Sequence, residues 1–174
     1  MMLDIDDGSG LFKNPVYNGT SADSNTIGAV FDVGYRSESA ANTNKTGMRA
    51  TCWNNFGRCW TSTVKFNAKD FSTISAVFQR TAGNVTKNSY AVIVVSEKVE
   101  DYVVAKSSYN VANMSDAYGD YRYASANTNA NGTFTASIDI SDWEFKNGFY
   151  ISVLYKNGVD GNYMTVKTNS ITLS

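Results

Sequence analysis

The last third of the sequence alternates apolar and polar residues with a period of two. Apolar side chains occupy positions 134, 136, 138 and 140, and threonine, serine or aspartate fills positions 133, 135, 137 and 139. Successive side chains of a β-strand point to opposite faces, whereas a helix repeats its apolar positions every three to four residues. The alternation returns in residues 149–155 and 163–173. The pattern therefore predicts three consecutive strands, each with one buried face.

Similar short segments, separated by glycine- and asparagine-rich turns, run through the rest of the chain. Further candidate strands cover residues 11–13, 28–35, 48–52, 58–66, 73–81, 90–96, 102–106 and 121–124. The apolar run 90–95 predicts a central strand buried on both faces. Strands of this number and length favour an all-β fold in which two antiparallel sheets pack as a β-sandwich. We expect residues 107–131 to be mostly loop.

Length and composition predict one domain. The 174 residues are 43% hydrophobic and 13% aromatic, which is enough for a single core. We assign residues 1–10 to a polar N-terminal segment and residues 11–174 to the sandwich. The net charge is −1 with scattered lysines and arginines, which argues against nucleic-acid binding. No apolar run approaches the roughly 20 residues of a membrane span, and the first residues lack a secretory signal pattern.

The sequence contains no histidine. Hydrolases with Ser-His-Asp or Cys-His groups are therefore excluded, and the commonest zinc ligand is missing. Glycoside hydrolysis needs only two carboxylates, about 5 to 10 Å apart. The chain has sixteen acidic residues, but their spacing singles out no pair. We therefore predict no catalytic residues.

The two cysteines, Cys52 and Cys59, flank six residues that include an Asn-Asn-Phe-Gly turn. If a hairpin placed them directly opposite, their Cα atoms would lie about 4.5 Å apart, within reach of a disulfide. Two buried free thiols are the alternative interpretation. A zinc site is disfavoured because two thiolates alone leave the metal short of ligands.

A weak calcium candidate lies near the N-terminus, where Asp4, Asp6 and Asp7 precede Gly8. Clustered carboxylates followed by glycine suit a hard cation, but the bidentate glutamate of a full calcium loop is missing. A polar chain terminus is the alternative interpretation. No other cofactor is predicted.

Aromatic residues mixed with charges are the main functional signal. Residues 115–123 hold three tyrosines, two aspartates and an arginine around Gly119. A sugar ring needs a flat apolar surface and polar groups that pair with its hydroxyls. We therefore predict ligand contacts from Asp116, Tyr118, Asp120, Tyr121, Arg122 and Tyr123, and from a second cluster that includes Trp53 and Arg58. For Trp60 and Trp143, burial in the core is the favoured interpretation.

The strand order also carries a resemblance. The segments involved are residues 10–14, 64–78, 132–141, 148–153 and 166–173. Together they resemble the jelly-roll β-sandwich modules of tail and receptor-binding proteins of phages and prophages of Gram-positive and gut bacteria. Such modules are related in shape to carbohydrate-binding modules.

The resemblance implies a non-catalytic module of a tail appendage that binds a host-surface glycan or another surface ligand. It implies a virion or extracellular location, other tail proteins as partners, and an oligomer such as a homotrimer. A purely structural virion scaffold and a polysaccharide-degrading enzyme with paired carboxylates are the alternatives. The sequence names neither the ligand nor the number of chains.

Overall fold

Within the residues that the computed structural model describes, ten strands form two five-stranded antiparallel sheets. The structure describes residues 1–5, 9–13, 43–44, 48–53, 57–97, 121–159 and 161–174. For residues 13, 43, 44, 53 and 57–59, it describes the backbone but not the side chains. These ranges contain no α-helix. The strands are β1 (Phe12–Lys13), β2 (Thr43–Asn44), β3 (Arg49–Trp53), β4 (Gly57–Ser62), β5 (Thr73–Gly83), β6 (Ser89–Ser96), β7 (Tyr121–Asn127), β8 (Gly132–Asp139), β9 (Tyr150–Asn157) and β10 (Tyr163–Leu173).

Sheet I has the strand order β1-β4-β9-β6-β7, and sheet II has the order β2-β3-β10-β5-β8. From β3 onward the chain passes to the other sheet after every strand except β6, which pairs with its successor β7. This repeated crossing gives a jelly-roll-like β-sandwich. The predicted fold class is confirmed.

The core lies between the sheets, and Tyr155 of β9 occupies it. Its ring lies 5.2 Å from that of Trp60 and 6.1 Å, edge-on, from that of Phe78 across the sandwich. The Tyr155 hydroxyl contacts the Met48 carbonyl oxygen and lies 2.5 Å from Thr168 Oγ1. Burial raises the pKa of this phenol well above its ordinary value. Trp60 and Trp143 are also buried, which confirms that they belong to the core.

The apolar run in β6 is buried on both faces, as predicted. Ala91, Ile93 and Val95 belong to the core between the sheets. Val92 and Val94, on the opposite face, are at most 1% exposed. β6 lies between β9 and β7 in sheet I, so it is an interior strand.

The first five residues belong to the sandwich, contrary to the predicted polar segment 1–10. The Leu3 amide donates to the Ile171 carbonyl at 2.9 Å, and Met2 pairs with Thr172. Leu3 and Ile5 join the core. Leu3 and Ile5 are two positions apart, so in an extended segment they lie on the same side, which becomes buried.

The predicted hairpin around the cysteines is wrong. Cys52 lies in β3 and pairs with Met164 of sheet II, whereas Cys59 lies in β4 and pairs with Leu154 of sheet I. The chain changes sheets between these two strands, so the two residues are not cross-strand neighbours. Cys52 is a buried free thiol, and the side chain of Cys59 lies outside the described part of the structure. Burial raises the pKa of the Cys52 thiol to about 12.

A buried arginine fixes one end of the sandwich. Arg80 is 3% exposed, and its Nη1 donates to the carbonyl oxygens of Val85 and Thr128, each at 2.7 Å. Beside it, the Asn129 side chain accepts hydrogen bonds from the amide and hydroxyl of Ser89. These contacts hold the start of β6 against the end of β7.

Candidate ligand-binding face

The outer face of sheet I follows from the alternation of its strands. Inward residues of β6, β7 and β9 join the core, including Ile93, Ala124 and Val153. Their neighbours in each strand therefore point away from the core. We call the surface they form the outer face: Thr61 from β4; Tyr90, Val92, Val94 and Ser96 from β6; Tyr121, Tyr123, Ser125 and Asn127 from β7; Tyr150, Ser152, Leu154 and Lys156 from β9.

Strand register arranges these residues in four rows across the sheet. The first row is Tyr121, Ser96 and Tyr150, and the second is Tyr123, Val94, Ser152 and Thr61. The third is Ser125, Val92 and Leu154, and the fourth is Asn127, Tyr90 and Lys156. Rows two residues apart along a strand are separated by about 6.7 Å, so four rows span about 20 Å.

The central residues of the outer face are buried, and residues at its β7 margin are exposed. Val92, Val94 and Leu154 are at most 1% exposed. The ten strands that the structure describes all belong to the two sheets. The β7 margin is accessible, since Ser125 and Asn127 are exposed. The four tyrosines of the face are half-buried: Tyr90, Tyr121, Tyr123 and Tyr150.

The buried hydroxyl groups of the outer face differ in their partners. Thr61 Oγ1 and Ser152 Oγ lie 3.1 Å apart and hydrogen-bond across β4 and β9. Ser96 Oγ, in the first row, is different: within the described ranges it is the one buried side-chain oxygen or nitrogen without a hydrogen-bond partner. Tyr121 and Tyr150 stand on either side of it.

A cation lies at the Tyr150 end of the first row. Lys65 Nζ is 5.5 Å from the centre of the Tyr150 ring, within the range of a cation–π contact. A second lysine, Lys156, is buried at the β9 end of the fourth row, at 3% exposure. The described residues of the outer face include no aspartate or glutamate.

The structure brings together two of the predicted ligand residues. Tyr121 and Tyr123 are neighbours on the outer face, as their spacing by two requires. Arg122, between them, points to the other side, where its Nη1 donates to the Asp142 carboxylate at 2.6 Å and to the Asp139 carbonyl oxygen at 2.9 Å. Asp116, Tyr118 and Asp120 lie outside the described residues and stay predictions.

The second predicted cluster is divided between the sheets. Trp53 ends β3 in sheet II, and Arg58 lies in β4 in sheet I, so the hairpin expected to join them does not form. The side chains of both residues lie outside the described part of the structure. Their roles in binding stay predictions.

Sequence reasoning missed Tyr90, Ser96, Tyr150 and Lys65. Alternation in residues 149–155 could have placed Tyr150 on an outward face. Nothing local indicates that β9 lies beside β6, because their pairing joins residues more than 50 positions apart. The Ser96 position depends on the same long-range pairing.

Of the three predicted calcium ligands, one lies in the described part of the structure. Asp4 is exposed, while Asp6 and Asp7 lie outside the described residues. Among the residues that the structure describes, no three histidine, cysteine or acidic side chains are grouped to hold a metal. Calcium at Asp4, Asp6 and Asp7 stays a prediction. The described ranges also hold no helix that is long and apolar enough to cross a membrane.

Comparisons with known proteins identify the fold. No protein-family model and no curated protein matches the sequence. One similar structure is that of the GH16 protein of a mixed-linkage glucan PUL from Bacteroides ovatus, in complex with a G4G4G3G product. It is 11% identical in sequence to this chain, with a TM-score of 0.53, and the alignment covers 100% of this chain and 99% of that one.

Two carbohydrate-binding modules are more distant. TmCBM61 in complex with β-1,4-galactotriose is 10% identical with a TM-score of 0.44, covering 76% of this chain and 73% of that one. The second is the family 11 module from Clostridium thermocellum, in complex with a β-1,3-1,4-mixed-linked tetrasaccharide. It is 11% identical in sequence, with a TM-score of 0.38, and the alignment covers 74% of this chain and 77% of that one. At 11% identity, the similarity to the GH16 protein concerns the fold alone.

Proposed function

We propose that this chain is a non-catalytic glycan-binding module whose ligand lies along the β7 margin of the outer face. The observation that carries the proposal is the column formed by Tyr121, Tyr123, Ser125 and Asn127. These four side chains project from one strand on one side of the sheet, two half-buried and two exposed. The column is about 20 Å long, so it offers an extended rather than a pocket-like surface.

The chemistry of the column suits a sugar chain. A half-buried tyrosine presents part of an apolar ring, on which the C–H face of a sugar can stack. The serine hydroxyl and the asparagine amide can pair with sugar hydroxyls, which otherwise lose their water partners on binding. A rigid strand positions all four groups in advance, which lowers the entropic cost of binding.

The non-catalytic part of the proposal considers only the described residues of the outer face. Hydrolysis of a glycosidic bond requires two carboxylates about 5 to 10 Å apart. The described part of the face presents hydroxyl, aromatic, amide and ammonium groups. The GH16 protein of the same fold binds a glucan product, but that similarity does not identify the ligand of this chain.

The biological setting remains a proposal that rests on the resemblance. We propose a phage or prophage tail appendage with other tail proteins as partners, a virion or extracellular location, and a host-surface glycan as the ligand. None of the structures compared above is a phage tail protein. A structural virion scaffold is the runner-up, and the trimer stays a prediction, testable as a mass of about three times 19.0 kDa in light scattering.

A panel of immobilised glycans tests the proposal. The panel contains mixed-linkage β-glucan, β-1,4-galactan, xylan, and cell-wall and capsule preparations from Gram-positive and gut bacteria. We expect the full chain to bind at least one class without releasing reducing sugar. Absence of binding to every preparation would contradict the proposal and favour the scaffold, whereas release of sugar would establish the enzyme.

A further inference from the structure

We infer that the outward side of sheet II holds a second binding site, where Arg49, Lys167 and Gln79 bind a carboxylate of an acidic polysaccharide. These residues belong to β3, β10 and β5 of sheet II, whereas the proposed glycan-binding column lies on sheet I. The inference therefore goes beyond the proposed function and concerns a charged class of glycan.

The three side chains share the outward side of sheet II. Their strand neighbours Ala50, Val166 and Phe78 belong to the core. Adjacent side chains of a strand point to opposite faces, so the three point away from the core. Each is half-buried, which leaves part of the side chain accessible to a ligand on this side.

Strand register places the three side chains in one row. Lys167 pairs directly with Arg49 on one side and with Gln79 on the other. Thr133 of the edge strand β8 pairs with Gln79 and continues the row. Residues directly opposite each other have Cβ atoms about 5 Å apart. We call Arg49, Lys167, Gln79 and Thr133 the cationic row.

Two like charges stand side by side in the cationic row. Like charges directly opposite each other destabilise a sheet. Neither Arg49 nor Lys167 forms an ion pair with a residue that the structure describes. The described outward residues of the two adjacent rows are uncharged: Thr51 and Thr165 in one, and Ser170, Val77 and Thr135 in the other. A repulsion without a compensating acid is expected at a site that receives an external anion.

Gln79 adds a neutral donor to the two cations. Its Oε1 accepts a hydrogen bond from Asn169 Nδ2 at 3.4 Å. Within the described residues, the amide N–H groups of Gln79 have no acceptor. An ammonium with a guanidinium and an amide about 5 Å to either side can surround one carboxylate. Charge-assisted hydrogen bonds of this kind are about twice as strong as those between neutral groups.

The surroundings of the row favour a polysaccharide over a nucleic acid. Thr133 and Thr135 are exposed at the β8 end and can pair with sugar hydroxyls. Proteins that bind DNA commonly neutralise several phosphates at once, which two cations on a chain of net charge −1 do not provide. A uronic acid carries a single charge, and its planar carboxylate matches the guanidinium fork.

The test is a titration of the full chain with polygalacturonate, a polymer of uronic acids, in about 0.1 M salt. The double variant Arg49→Gln/Lys167→Gln should bind at least about 10-fold more weakly, because it loses two charge-assisted hydrogen bonds. Wild-type binding should also weaken in about 1 M salt, where the screening length falls to about 3 Å. Binding to a neutral glycan of the panel should not change in the double variant.

Lys69→Gln is the matched control, because it changes the net charge as Lys167→Gln does. Lys69 is exposed and precedes β5, whose length from Thr73 to Gln79 is about 20 Å. This variant should bind polygalacturonate as the wild type does.

A stability measurement tests the repulsion separately. Lys167→Gln should raise the melting temperature of the ligand-free protein in about 0.1 M salt, because it removes a like charge beside Arg49. The gain should shrink in about 1 M salt, and Lys69→Gln should show no such gain. A lower melting temperature in Lys167→Gln alone would show that the ammonium stabilises the fold, and the inference would be overturned.

The possible binding results separate the inference from the proposed function. If a neutral glycan binds and polygalacturonate does not, the inference is wrong and the proposed function stands. If polygalacturonate alone binds, through the cationic row, the inference stands and the proposed face on sheet I fails. Loss of polygalacturonate binding in Tyr121→Ala/Tyr123→Ala, but not in the cation variant, would overturn the inference. Equal binding of duplex DNA, or binding of a phosphate-bearing teichoic acid in place of polygalacturonate, would overturn the assignment of a carboxylate ligand.

Discussion

The guanidinium of Arg122, on the edge strand of sheet I, lies 2.6 Å from the carboxylate of Asp142, in the turn after the edge strand of sheet II. The same nitrogen donates to the Asp139 carbonyl oxygen. Arg122 therefore joins the two sheets at the side of the sandwich where they meet. This role explains how a residue predicted to contact ligand comes to face away from Tyr121 and Tyr123.

The ion pair predicts a specific pH dependence. The hydrogen bond from Arg122 lowers the pKa of Asp142 below its ordinary value of 3.8 in the folded protein. A depressed folded pKa stabilises the protein above the unfolded pKa, and this stabilisation is lost as pH falls through the folded value. We expect the melting temperature of the wild type to exceed that of Asp142→Ala at pH 6, and the difference to shrink below about pH 3.8. If this difference in melting temperature persisted unchanged to pH 2, the ion pair between Arg122 and Asp142 would not be its cause.

Cys52 should be chemically inert in the folded protein. Its thiol is buried, and its pKa of about 12 leaves almost no thiolate at pH 8. In a Cys59→Ser variant, iodoacetamide should label Cys52 only after denaturation, as measured by mass spectrometry. Rapid labelling of the native protein would contradict the position of β3 in the core. In the unmodified chain, a disulfide between Cys52 and Cys59 would contradict the assignment of their strands to different sheets.

The hydroxyl of Tyr155 should contribute to stability out of proportion to its size. Replacing Tyr155 with phenylalanine leaves the Met48 carbonyl and the Thr168 hydroxyl without this partner inside the core. We expect a loss of about 1–3 kcal/mol in the free energy of unfolding, measured by urea denaturation. Tyr90→Phe, on the outer face, is the matched control and should change it by less than about 0.5 kcal/mol. Equal effects of the two substitutions would argue against the buried network.

Gly83 should not tolerate alanine. Its φ is +138°, and a Cβ there would lie 2.5 Å from the Tyr163 carbonyl oxygen across the β5–β10 pairing. Gly83→Ala should therefore cost about 1–3 kcal/mol of unfolding free energy through overpacking and backbone strain. In the control Gly148→Ala, the nearest atom to the new Cβ is a Lys65 side-chain carbon at 4.0 Å. That variant should unfold at the same urea concentration as the wild type; comparable losses in both would show that the strand register near Gly83 is different.

Local periodicity predicted most of the described strands but not all of their partners; β2 was not predicted, and the predicted strands 28–35 and 102–106 lie outside the described residues. In β8, the predicted inward residues Ala136 and Ile138 are buried, because their alternation matches the pleat. The error at Cys52 and Cys59 has a physical cause. A hairpin and a crossing between sheets both require two strands and a short connection, and the residues of the connection do not distinguish the two.

The candidate site was only half predictable for a related reason. Tyr121 and Tyr123 could be paired from their spacing along one strand. Ser96 and Tyr150 join them through cross-strand register, which depends on long-range packing of the whole sheet. A ligand face assembled from three strands therefore becomes visible only once the strand order is known.

The most direct test of the glycan-binding account is a calorimetric titration of the double variant Tyr121→Ala/Tyr123→Ala with the glycan that the wild type binds best. Tyr163→Ala serves as the control, because this half-buried tyrosine belongs to sheet II. We predict that the double variant loses at least about 10-fold in affinity, as expected when central aromatic contacts are truncated, while Tyr163→Ala binds as the wild type does. Unchanged binding by the double variant, with its fold intact by circular dichroism, would contradict the proposed binding face.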